Sequence, residues 1–135
     1  MDPFQYYRHL RRTMRYVENH LREPISLHDV AHEVGLSPAH YSAFFHKATG
    51  IRFKSWLGAK RIVLAKQMLQ ESDHAIFRIA IDVGFGSVSA FERAFQANER
   101  MPPSRFRKIY RDRTYGRRTQ RLIGANPYDN ANAAS

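Results

Sequence analysis

Apolar residues along this chain recur at intervals of three and four, and no segment alternates in the manner of a strand. Tyr7, Leu10, Met14, Val17 and Leu21 step in this way and predict an amphipathic first helix. It should stop before Pro24, because the residue preceding a proline avoids the α region. Ser26 opens a short second helix whose apolar face is Leu27, Val30, Ala31 and Val34. Asp29 stands three residues after Ser26, the acidic variant of a capping box. Gly35 suits the left-handed turn that ends this helix. Ser37-Pro38 opens a third: serine caps, and proline is tolerated at the first position because its missing N–H would be unpaired there anyway. Tyr41, Phe44, Phe45 and Ala48 are its expected core face, and Gly50 its end. A long helix follows over 53–70, with Phe53, Trp56, Leu57, Leu64, Met68 and Leu69 expected on one side. At ~1.5 Å per residue it spans roughly 27 Å. Further helices are expected over 76–83, 87–98 and 103–110. The reading is all-α, with seven helices and no sheet.

The pattern repeats. Leu27, Val30, Ala31, Val34, Gly35 and Leu36 recur 49 residues later as Ile76, Ile79, Ala80, Val83, Gly84 and Phe85. Past the glycine the offset becomes 50, pairing Tyr41 with Phe91, Phe45 with Phe95 and Trp56 with Phe106. Two copies without capping repeats are too few for a solenoid. Each copy is a short helix, a glycine turn and a second helix, which is a helix-turn-helix: the first helix braces and the second lies in a major groove. The units are expected over 26–50 and 75–99, joined by the helix over 53–70. Successive major grooves on one face of B-DNA lie about 34 Å apart, a distance that a rigid linker of this length plus packing offsets can span.

Charge sharpens the picture. The net charge is +10 on 135 residues, which points to a polyanion as partner. Residues 111–135 hold five arginines and two aspartates, so most of the excess lies on the preceding segment. A domain is expected over 5–110, followed by a basic, mostly flexible tail whose Arg113, Arg117, Arg118 and Arg121 are available for non-specific phosphate contacts. There are no cysteines, which excludes disulfides, thiolate catalysis and cysteine-based zinc sites. The start, MDPFQYYRHLRR, has none of the apolar run of a signal peptide, and no stretch approaches the length of a membrane span. A cytoplasmic protein, nucleoid-associated when bound, is the default.

The chain is similar to the AraC/XylS-type transcription regulators. Ile25-Ser26-Leu27, Val30-Ala31, Gly35-Leu36-Ser37, Phe45 and Gly50 carry the resemblance in the first unit, and Arg61-Ile62 with Ala65 in the linker. Ile76, Ile79-Ala80, Val83-Gly84-Phe85, Ser87, Ser89, Phe91, Arg93, Phe95, Pro103 and Phe106-Arg107 carry it in the second. The length resembles that of stand-alone members, such as the activators of multiple-antibiotic and superoxide resistance. The resemblance implies a monomer on DNA with both second helices in adjacent major grooves of a promoter site, activation through RNA polymerase, and no cofactor.

Carried over by position, the family's base readers fall on Ala39, Ser42 and Ala43, and on Val88, Ser89, Glu92 and Arg93. Arginine can bond two guanine acceptors at once, worth ~1–3 kcal/mol of discrimination, and glutamate can accept from a cytosine amino group. The first helix departs from the family, which often places Trp, Gln or Arg where Ala39, Ser42 and Ala43 stand. First-half specificity should therefore lean on His40, Ser42 and shape. Backbone contacts are expected from Ser37, His46, Lys47, Arg52, Lys54, Ser87, Gln96, Arg105 and Arg107, with Lys60 and Lys108 nearby, and helix N-termini add N–H donors to phosphate. Arg100 and Pro102 replace the family's glycine and serine and should loosen the cap and turn after the second recognition helix. Arg61, between Leu57 and Leu64, is expected as a partly buried arginine with a carboxylate or carbonyl partner.

Other chemistry is weak. His28 and His32 are four apart, as zinc ligands can be, but no third ligand is evident. Seven histidines make the net charge pH-sensitive, so polyanion affinity should rise modestly from about pH 8 to pH 6. No catalytic spacing or glycine-rich phosphate loop is present, and the aromatics sit at helical core spacing. The alternatives are a non-specific architectural or single-strand binder, the DNA-binding fragment of a longer effector-controlled regulator, and a helical adaptor or membrane-surface domain.

Overall fold

The computed structural model describes residues 1–111, which form seven helices and no strand. They are α1 (Pro3–His20), α2 (Leu27–Val34), α3 (Pro38–Thr49), α4 (Phe53–Glu71), α5 (Ile76–Asp82), α6 (Val88–Glu99) and α7 (103–111). The tail arginines Arg113, Arg117, Arg118 and Arg121 lie outside the described residues. Arg111, expected to begin the tail, is the last described residue of α7. Among the described residues no helix is long and apolar enough to cross a membrane.

Local chemistry sets the boundaries. Asp2 and Gln5 form a capping box at the start of α1, where Pro3 needs no donor partner. Ser26 and Asp29 form another at α2: the Asp29 N–H donates to Ser26 Oγ at 3.1 Å, and the Ser26 N–H to the Asp29 carboxylate at 3.0 Å. The Ser26 backbone N–H first, and then the Ser26 hydroxyl, hold the Asp29 carboxyl below its ordinary pKa. Gly35 and Gly50 end α2 and α3 at φ +84° and +79°. Arg100 ends α6 in the same left-handed region at φ 59°, its N–H bonded to Gln96 O at 2.8 Å. The cap expected to loosen is therefore kept, at about 1–2 kcal/mol of backbone strain.

Two cores form, and α4 belongs to both. Val17, Val30, Ala31, Val34, Tyr41, Phe44 and Phe45 close the first with Phe53 and Leu57 from the N-terminal half of α4. Ile79, Ala80, Val83, Phe91, Phe95 and Phe106 close the second with Ile62, Ala65 and Leu69 from its C-terminal half. At 3.6 residues per turn these two sets of buried positions point roughly 130° apart. The single apolar side expected for this helix is thus two sides in sequence, one facing each unit.

Three positions differ from the helical pattern. Tyr7 and Met14 are exposed at 64% and 37%, and Ala48 is also exposed. Thr13 takes the core position on α1 instead. Its hydroxyl is satisfied by His9 O and the Tyr41 hydroxyl, both at 2.9 Å, so burying it leaves no unpaired polar atom. Burial pushes the Tyr41 phenol up to about 12, the Thr13 bond opposing in part.

Candidate nucleic-acid interface

Each unit buries one side of its second helix and leaves the other open. On α3, Tyr41, Phe44 and Phe45 face the core, while Ala39, His40, Ala43, His46 and Lys47 are exposed and Ser42 is half-buried. On α6, Phe91 and Phe95 face the core, while Ser89, Glu92, Arg93 and Gln96 are exposed. Val88 is half-buried, closer to the core than a free reading position. Each open face is thus presented by a rigid, buried aromatic row.

Both helices begin the same way. Ser37 Oγ accepts the His40 N–H at 3.2 Å, and Ser87 Oγ accepts the Ala90 N–H at 3.1 Å. Each serine keeps its own O–H free to donate, beside first-turn N–H groups that have no helical partner. That arrangement, with the positive end of the helix dipole, suits a phosphate oxygen. Among the described residues Glu92 and Arg93 form no ion pair with each other or with a neighbour, and the same holds for Lys47, Arg52, Lys54, Arg100 and Arg105. The Glu92 carboxylate is free to accept, and the cationic donors of the others are free to donate, to a ligand.

Arg107, Lys60 and Arg61 are otherwise engaged. Arg107 is half-buried and donates to Leu69 O at 3.4 Å and Ser72 O at 3.3 Å, so much of its guanidinium serves the C-terminal end of α4. Burial lowers its pKa, with Arg111 adding to that and Asp73 opposing it. Lys60 places its ammonium 5.1 Å from the Trp56 ring. Arg61 is 8% exposed and donates to Leu21 O at 3.2 Å and Glu23 O at 2.7 Å, so of the carboxylate or carbonyl partner expected for it, it takes carbonyls.

A basic feature that the motif does not include lies on α1. Arg8, Arg11, Arg12 and Arg15 line an open groove of about 340 Å³. Their spacing of three and four along α1, which lies outside both repeats, is the sequence signal for this basic stripe. A second open groove, of about 500 Å³, is lined by Tyr16, His28, Asp29, His32, Glu33, Leu36 and Pro38. The four-residue histidine pair lies there, and among the described residues no group of three or more ligands is gathered for a metal.

Comparison with known proteins agrees with this architecture. The helix-turn-helix domain family matches residues 30–109, more than half of the chain. The regulatory protein PocR of Salmonella typhimurium is 35% identical over 99 residues, covering 73% of this chain and 33% of PocR. The chain thus spans about a third of that relative's length. The DNA-binding domain of the global transcriptional factor AdpA, solved in complex with a target DNA, is 26% identical with a TM-score of 0.72, covering 77% of this chain and 94% of that one. A transcriptional regulator with an AraC-type DNA-binding domain from Chromobacterium violaceum shares the fold at 24% identity and a TM-score of 0.67, covering 76% of this chain and 91% of that one. Duplicated units, exposed serine-capped second helices and the family match lead to one conclusion: the chain belongs to the AraC-type helix-turn-helix family of DNA-binding transcription regulators, a family of DNA-binding domains and not of enzymes.

Proposed function

We propose that this chain binds a promoter site as a monomer, with α3 and α6 in adjacent major grooves, and acts as an activator through contact with RNA polymerase in the bacterial cytoplasm. The observation that carries the reading is the duplication: two exposed helices of equal length, each with a serine cap, a buried aromatic row and an open outer face, held by one linker helix. The likeness to the AdpA domain, solved on its target DNA, supports it.

In this reading Arg93 bonds a guanine and Glu92 accepts from a cytosine amino group, while Ser89 and Val88 shape the contact. Ala39, Ala43 and Ser42 fit closely against thymine methyls and base edges, and His40 supplies the main polar contact of the first half. Ser37, His46, Lys47, Arg52, Lys54, Ser87, Gln96 and Arg105 hold phosphates. Selection from a randomised duplex pool at ~150 mM salt should return two half-sites about one helical turn apart. Tight low-salt binding without enrichment would leave a non-specific polyanion binder in its place.

A second reading is favoured by one observation, that the chain spans a third of PocR. In that reading these residues are the DNA-binding part of a longer, effector-controlled regulator. An antibody against residues 1–111 settles the choice: a band much heavier than 15.8 kDa in native cells supports the longer protein.

A further inference from the structure

Arg61 sits where the two buried faces of α4 meet, between Leu57 of the first core and Ile62 of the second. A guanidinium that deep needs partners on every side. It finds them in both units. Toward the first unit it donates to Leu21 O and Glu23 O, at the C-terminal end of α1. That end has no left-handed glycine cap: Leu21 remains in the right-handed helical region. The Glu23 N–H donates to His20 O at 2.8 Å, whereas Leu21 O and Glu23 O take their donors from Arg61, and the negative end of the helix dipole favours that cation. Toward the second unit, the Arg61 Cζ lies 5.9 Å from the Phe85 ring centroid, within cation–π range.

Gly84 completes the contact. It stands at φ +98°, and a Cβ there would lie 2.7 Å from Leu21 O and 2.8 Å from Arg61 Nε. The turn of the second unit therefore presses directly on the end of α1. Gly35, at the same place in the first unit, has nothing within 4 Å of such a Cβ. The two glycines share a backbone role, but only Gly84 also serves an approach between units.

We propose that Arg61, with Gly84, is a positioning device that locks the first unit against the turn of the second and so fixes the separation and twist of α3 and α6. α4, buried in both cores, sets the distance along its axis, and a single helix between its two packed halves retains freedom to bend. A bidentate arginine bridging α1 to the Gly84-Phe85 turn removes that freedom from the side. The consequence for DNA rests on the two-headed reading above. Once one head is seated, the second binds at an effective concentration set by its geometry, and loosening the joint lowers that concentration without altering either head.

The test uses the full chain, whose lack of cysteine permits clean labelling. Spin labels on Ala48→Cys and Ala97→Cys, exposed and outside the reading faces, report the distance between units. Arg61→Met, Arg61→Lys and Gly84→Ala are compared with the parent, with helicity checked by circular dichroism. The expected result is a narrow distance distribution in the parent, broadened or shifted by Arg61→Met and Gly84→Ala. Arg61→Lys should be intermediate, since lysine keeps the charge but not the fork. On duplexes with two half-sites at graded spacings, Arg61→Met should bind the preferred spacing at least ~10-fold more weakly and respond less sharply to spacing. Affinity for each isolated half-site should stay within about twofold. Unchanged distance distributions in well-folded Arg61→Met and Gly84→Ala would overturn the proposal, as would equal weakening on every duplex. A parent chain with no spacing preference, but distances that still respond to Arg61, would refute the two-headed DNA reading and leave the joint standing.

Discussion

The two helix-turn-helix units share a backbone plan and differ in almost everything they expose. Val30, Ala31, Val34, Tyr41 and Phe45 in the first are matched by Ile79, Ala80, Val83, Phe91 and Phe95 in the second, and all ten are buried. Outside that row the copies diverge. α2 begins with a reciprocal capping box, whereas α5 begins at Ala75 with no side-chain cap. α3 ends on Gly50 and α6 on Arg100, both left-handed. His28 and His32 on α2 correspond by the 49-residue offset to Phe77 and Ile81 on α5, which are 62% and 54% exposed. The open faces differ most: methyl groups, a serine and an imidazole on α3, against a serine, a carboxylate and a guanidinium on α6. Packing constrains only the inner row, so capping and outer chemistry are free to drift. In the proposed DNA reading, the second unit carries the chemistry of direct readout. The first carries the better-capped scaffold.

The largest expected effect tests whether these are two bodies or one. Phe91→Ala should destabilise by about 3–5 kcal/mol, through lost burial and the cavity left behind. Because α4 serves both cores, Trp56, which packs on the first core, should report that loss too. Urea unfolding followed by tryptophan fluorescence and by circular dichroism should shift together. A Trp56 transition left at its parental midpoint would show that the units melt independently.

Next is the contrast in readout. Arg93→Ala should remove ~1–3 kcal/mol of discrimination at one base of the second half-site, seen as a broadened preference in randomised-site selection. His40→Ala should weaken the first half-site only, and by less. Equal effects at both halves would erase the asymmetry between the reading faces.

A smaller effect concerns the caps. Arg100→Gly relieves a left-handed arginine and should stabilise by about 1 kcal/mol in urea titration. Glycine's greater freedom in the unfolded chain offsets part of the gain. A destabilised variant would mean that the Arg100 side chain supports the second unit in a way that its backbone angle does not convey.

The smallest effect belongs to the first unit alone. Burial, followed by Arg12 and then Arg8, holds the His9 pKa below its ordinary value. The unfolded chain therefore binds this proton more readily than the folded one. The contribution to stability is present above about pH 6.5 and is lost as pH falls through the lower folded value. Thermal melts from pH 7.5 to 5 should show a decline that His9→Gln flattens. This trend opposes the rise in DNA affinity expected on acidification, so melting and binding should move in opposite directions.

The parts of the fold legible in the sequence were those set by near neighbours. Ser26 with Asp29, Ser37 before Pro38, and Gly35 and Gly50 act within one helical turn, and the structure has them as read. The aromatic rows were legible because a buried helix face repeats every three to four residues whatever it packs against. The illegible parts depended on distant partners. Thr13 is buried because Tyr41, 28 residues on, supplies its hydroxyl partner. The engagement of Arg107 depends on carbonyls 38 and 35 residues away. Arg100 keeps a left-handed cap because the chain must reverse to bring Pro103 and Phe106 back onto the second core.

The sequence by itself determined seven helices, two related units and the inner row of each, and it left the outer face of α3 and of α6 to solvent, since periodicity and capping act over a few residues. Tertiary structure alone decided how the units face each other. The two buried sides of α4 are separated only because each finds its own core. The Arg61–Leu21–Gly84 contact joins residues 40 and 23 positions apart. No local pattern encodes such a contact, because its energy appears only when both units are folded and the guanidinium loses its water between them.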